Sequence, residues 1–191
     1  MKLNLPVITL SVSAVLFCAM ANAASITGTS SVEMDIVTNV VSGTCSAQLV
    51  NGSGVSASTI GFGDVYKSDI ATGSRTEPLK IKFTNCSGVS KATVVAAAGS
   101  GGKCTGTSAD GDSYTTPADT TFTGFEVWSG TADTGVLLSC KTPPAAQEVT
   151  ISGGTGEFPM TSRIVVAKDS TINNVVAGST SVPVTFTVAY P

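Results

Sequence analysis

Near the end of the chain large apolar side chains fall on every second residue, Val184, Phe186, Val188 and Tyr190, with Thr185, Thr187 and Ala189 between them. Only a β-strand turns such a set onto one face, so the pattern predicts a terminal strand with one apolar side. A terminal strand of that kind invites aggregation unless something covers it. A second alternating row, Val32, Met34, Ile36, Thr38 and Val40, is set against Glu33, Asp35, Val37 and Asn39 and ends shortly before Cys45. It too predicts a one-faced strand. Leu79, Ile81 and Phe83 alternate with Lys80, Lys82 and Thr84, which predicts a strand with a core side and a wet side. Further short strands are expected over Ala92 to Ala98, Phe122 to Trp128, Gly135 to Cys140, Glu148 to Ile151 and Met160 to Val166, and from Gly178 to the end. Glycine and proline punctuate these runs, and no segment sustains a period of 3.6 with helix caps. The chain is therefore expected to be all-β.

The first residues change the setting rather than the fold. Lys2, an apolar run from Val7 to Met20 and Ala21-Asn22-Ala23 read as a secretory signal over residues 1–23. Cys18 does not suit a lipid anchor, because Phe17 precedes it where a small residue is needed. Removing 23 residues from 191 leaves 168, a length suited to one core, with no run near the ~20 apolar residues that span a bilayer. The remaining charges, nine basic and thirteen acidic, are sparse and scattered, which argues against nucleic acid as a partner.

Export also fixes the redox environment of Cys45, Cys86, Cys104 and Cys140, since disulfides persist outside the cytoplasm. Four cysteines allow three pairings, and spacing does not choose among them. With no histidine and no C-x-x-C pair, metal binding finds no ligand set, and neither a Ser-His-Asp nor a Cys-His arrangement exists. The Gly99 to Cys104 loop fails as a phosphate loop, because Ala97 and Cys104 stand where a glycine and a hydroxyl are required. Asp110 and Asp112 are followed by Tyr114 instead of a third ligand, so a solvated loop is expected there rather than a calcium site. Two carboxylates such as Glu126 and Glu148 satisfy only the barest requirement of glycoside hydrolysis, and Trp128 reads as a packing residue rather than a sugar platform. The expectation is no enzyme and no cofactor.

Gly178, fourteenth from the end, and the penultimate Tyr190 together resemble the C-terminal signature of chaperone–usher pilus subunits. Ile60-Gly61-Phe62-Gly63 followed by Leu79-x-Ile81-x-Phe83-x-x-Cys86 resembles the corresponding internal region, and Ser162 to Ala167 with Val175 to Gly178 resembles the approach to the C-terminus. The resemblance covers nearly the whole chain after the signal. It implies an incomplete immunoglobulin-like sandwich, residues 45–191, completed by a donor strand from another molecule. It implies bridges Cys45 to Cys86 and Cys104 to Cys140. Residues 24–44 match the donor extension, with the donor strand Val32, Met34, Ile36, Thr38 and Val40, in which Val32, Met34, Ile36 and Val40 match the pocket-filling positions and Thr38 stands where many relatives have glycine. Gly178, Val184, Phe186, Val188 and Tyr190 match the groove-edge strand. The partners implied are a periplasmic chaperone, an outer-membrane usher and neighbouring subunits, with room for a host-surface ligand at the surface fimbria. The alternative is a self-contained secreted β-sandwich, a carbohydrate-binding or adhesive module, in which residues 32–41 pair within their own domain.

Overall fold

A computed structural model describes residues 43–191. The signal segment and the row from Val32 to Val40 lie outside the described residues. Ten strands form two sheets, and every pairing is antiparallel. In the larger sheet the order is β1 (Thr44–Asn51), β2 (Thr76–Ser87), β9 (Gly156–Val166), β6 (Thr123–Ser129), β5 (Tyr114–Thr115) and β4 (Lys103–Cys104), with β7 (Val136–Leu137) hairpinned onto β6. The smaller sheet has the order β10 (Val184–Ala189), β3 (Lys91–Ala98), β8 (Gln147–Thr150).

Alternation explains how the sheets face each other. On β2 Leu79, Ile81 and Phe83 are buried, while Lys80 reaches across the sheet surface to Glu157 of β9 at 2.8 Å. Register sets Ile81 against Phe158 and Leu79 against Met160, so inward-facing residues pair with inward-facing residues. Ala92, Val94 and Ala96 of β3 close the core from the opposite sheet, and Tyr114 from β5 is fully buried within it. The all-β expectation is borne out. A second, smaller cluster of Ile70, Ile164 and Val175 lies against Phe62 and Phe125, whose ring centroids are 5.3 Å apart.

Two boundaries differ from the sequence expectation. A six-residue helix, α1 (Lys67–Thr72), lies in the turn-rich stretch before β2, too short to display a 3.6 period. The Asp69 carboxylate accepts the Tyr66 N–H at 3.1 Å at its start, and Gly73 ends it at φ 64°, the left-handed conformation that glycine adopts freely. The last strand starts at Val184, not at Gly178. Pro183 has no N–H to pair, and regular pairing begins with Val184 opposite Ala98. Gly178 thus stands in an irregular segment before β10, with the place a Cβ would take 3.0 Å from Thr121 Cγ2.

Candidate functional site: the groove beside the last strand

Among the described residues β10 hydrogen-bonds to β3 on one side only, and none of them neighbours its other edge in the sheet. Its side chains alternate as the pattern requires: Val184, Phe186 and Val188 face the core, with Tyr190 just beyond the strand, while Thr185, Thr187 and Ala189 face water. The inward row is nevertheless only half-buried, unlike Val94 on neighbouring β3, which is completely buried. A core-facing row that is still half open marks a layer lacking one strand's worth of cover.

Beside that edge runs a groove of about 1030 Å³. Val182, Val184 and Phe186 form one wall, and Leu79, Val127 and Ile164 on the inner face of the larger sheet reach its floor. The segments around Ile60–Tyr66 and Val175–Ser181 form its rim. Gly178 lines this rim rather than the strand. Towards the other end of β10 the Tyr190 hydroxyl donates to the Cys45 carbonyl at 3.2 Å and ties β10 to β1. The groove is therefore an apolar trough beside a backbone edge that no described residue pairs, suited to accept an extended segment whose alternate side chains are apolar.

The disulfides frame this arrangement. Cys45 is joined to Cys86, linking β1 to the end of β2, and Cys104 to Cys140, linking β4 to the segment after β7. Cys140 belongs to the main core, and its N–H donates to the Asp112 carbonyl at 2.8 Å, so the second bridge is packed into the body and is not merely a loop tether.

Elsewhere several charged groups are engaged in ion pairs. Glu126 holds Arg163 at 2.8 Å on the larger sheet, whereas Glu148 holds Lys91 at 3.1 Å on the smaller one, so the two carboxylates stand on different sheets and each has its own cation. Hydrogen bonding to Asp133, then to Glu126, raises the Arg163 pKa above its ordinary value. Trp128 donates to Glu126 at 3.0 Å and lies 5.6 Å below the same guanidinium, a packing role. Asp112 accepts from Ser139 at 2.6 Å, and Asp110 pairs with Lys168.

Sequence reasoning found the row on β10 but not the rim. Ile60 and Phe62 were visible as an apolar pair separated by glycine, and Val175 with Val176 as a short apolar run, but only tertiary folding brings both to the same opening.

An uncharacterised fimbrial-like protein of Escherichia coli strain K12, YadL, is 40% identical over 191 residues, covering 95% of this chain and 94% of its own. The chain belongs to the fimbrial-like proteins. Two solved structures share the fold of this fimbrial-like chain, each with a TM-score of 0.50. One is a chaperone–usher pilus structure described for the molecular basis of rod uncoiling, 18% identical, covering 86% of this chain and 98% of that one. The other is the P pilus rod subunit PapA, 17% identical, covering 83% and 100%. No family model matches the fimbrial-like chain.

Proposed function

We propose that this chain is a structural subunit of a chaperone–usher fimbria and polymerises by donor-strand exchange. The observation that carries the reading is the edge of β10 beside the apolar groove, unpaired among the described residues, with Val184, Phe186 and Val188 left half-buried over the core. A strand added there supplies main-chain hydrogen bonds to the edge and side chains to the trough at once. Membership in the fimbrial-like proteins and the likeness to pilus subunit folds support the same reading.

The proposed sequence of events draws on the resemblance to chaperone–usher pilus subunits, and the groove supports it. Residues 1–23 direct export, and a periplasmic chaperone lends a strand to the groove while the subunit waits. At the outer-membrane usher the 24–44 segment of the next subunit replaces the chaperone strand, with Val32, Met34, Ile36, Thr38 and Val40 directed into the trough. No nucleotide is needed, because exchange of a loosely packed strand for a well-packed one releases the free energy of final apolar burial. The product is a surface fimbria that contributes to adhesion.

Deleting Ala24 to Val41 tests the assignment. The shortened subunit is expected to fold on its chaperone, since groove and β10 are intact, and to be missing from sheared surface fibres. Incorporation at the wild-type level would refute the donor role of that segment.

A further inference from the structure

We propose that the mouth of the groove carries a second contact: Tyr66, Phe122 and Val176 form an apolar seat on which the body of a second copy of this chain rests when its N-terminal segment fills the groove. The inference rests on the strand-addition reading and adds a partner surface to it. The first observation is Phe122. Its backbone is held at φ 58°, in the left-handed region that a bulky residue rarely adopts, while its carbonyl accepts the Ala167 N–H at 2.9 Å. The ring gains little in return, because Phe122 is 47% exposed. Strained backbone that aims an aromatic ring at solvent is a feature of contact sites more than of folding.

Val176 stands beside it, since its N–H donates to the Thr121 carbonyl at 3.2 Å, and it is 49% exposed. Tyr66 is 71% exposed. Tyr66 and Val176 both line the groove, together with Val182 to Phe186 at the start of β10. Three of the five large exposed apolar side chains among the described residues are thus gathered at or next to one opening.

Strand direction says what arrives there. Every pairing in both sheets is antiparallel, so a strand added to β10 in the same sense ends beside Val184, where β10 begins. In the incoming chain only three residues lie between Val40 and Thr44, where β1 begins, so four residue steps reach roughly 14 Å at full extension. The incoming body is therefore held at the seat. The end it presents is closely packed at its start: Gly43 lies so near Gly88 and Val89 that a Cβ added to it would fall 2.5 Å from the Gly88 carbonyl. Seat and presenting end are at opposite ends of one molecule, because the Tyr190 bond to Cys45 places the start of β1 at the far end of β10. The contact is head to tail and repeats along a fibre.

The test separates the seat from the strand. Dissociation from the immobilised full chain is measured for a synthetic peptide of residues 30–42 and for a second full chain, with wild type and the variant Phe122→Gly, a residue outside the groove lining, as the immobilised partner. Glycine suits the φ at 122, so the variant should unfold at the wild-type temperature or slightly higher, which thermal unfolding checks. Peptide dissociation should be unchanged, whereas the full chain should leave the variant at least about tenfold faster than wild type. Equal full-chain rates on both partners, with the peptide still binding, would overturn the seat and leave the strand reading standing. Failure of the peptide to bind either partner would remove the strand reading and the seat with it.

Discussion

Tyr114 shows how one polar group is accommodated in an apolar core. The side chain is fully buried and its hydroxyl donates to the Leu138 carbonyl at 2.7 Å, so the phenol is dry but partnered. Burial pushes its pKa up to about 12, because it strips the charged phenolate of its hydration. The folded pKa lies above the unfolded value, so this stabilisation is complete below pH ~10 and is lost as pH rises towards the folded value. Tyr114→Phe should remove that alkaline component of the stability profile, measured by denaturant unfolding at pH 9 to 12. At pH 7 it should cost about 1–2 kcal/mol, because the Leu138 carbonyl is left without its donor. A second residue-scale prediction uses the alternation on β10. Val188→Asp places a charge in the half-buried core-facing row proposed to receive an added strand, at a cost on the order of 2–4 kcal/mol, whereas Thr187→Asp points to water. Periplasmic subunit levels should fall sharply for the first variant and stay near wild type for the second. Equal losses would contradict a one-faced strand.

At the scale of elements, β1 and β10 are the two sides that a donor strand must reconcile. β1 is fastened to β2 by Cys45 to Cys86, and its pairing shifts register between Thr44 and Ser46 at that bridge. The same Cys45 carbonyl receives the Tyr190 hydroxyl, so the bridge also positions the far end of β10. The bridges span 41 and 36 residues of sequence, and each should contribute about 3–4 kcal/mol through the unfolded chain. Their functional effects should differ. Replacing Cys45 and Cys86 together by serine should lower both the unfolding temperature and the affinity for the 30–42 peptide. Replacing Cys104 and Cys140 should lower the unfolding temperature while leaving peptide affinity within about twofold, since that bridge joins β4 to the segment after β7, neither of which pairs with β10. Loss of peptide affinity in the second variant would show that the two sides of the core are coupled.

For the whole molecule the issue is where the missing strand comes from. Moving residues 24–41 behind Pro191 through a flexible linker of roughly 5 to 15 residues tethers the segment beside the open edge, and tethering raises its effective concentration. The rearranged chain should be a monomer that needs no chaperone, with an unfolding temperature well above that of the chain merely shortened by the same residues. Size-exclusion chromatography and thermal unfolding across the linker series decide it. If the native chain is already a stable monomer and shortening lowers its melting steeply, the segment belongs to its own sandwich and the self-contained adhesive module is the better description.

What the sequence determined by itself is local and periodic. The alternation of Val184, Phe186 and Val188, or of Leu79, Ile81 and Phe83, identifies strands and their inner faces because the side-chain period of a strand is 2 whatever the fold around it. The cysteine pairs came from resemblance, since spacing left three pairings open. Only the tertiary structure decided that β10 lies at a sheet edge, that Ile60, Val127 and Val176 meet at one groove, and that Phe122 turns its ring outward. It also decided that α1 exists, because six residues are too few to show a helical period and are held by Ile70 packing on Ile164 and Val175. These features depend on contacts between residues far apart in the chain, and a pattern along the chain records which face is apolar but not what covers it.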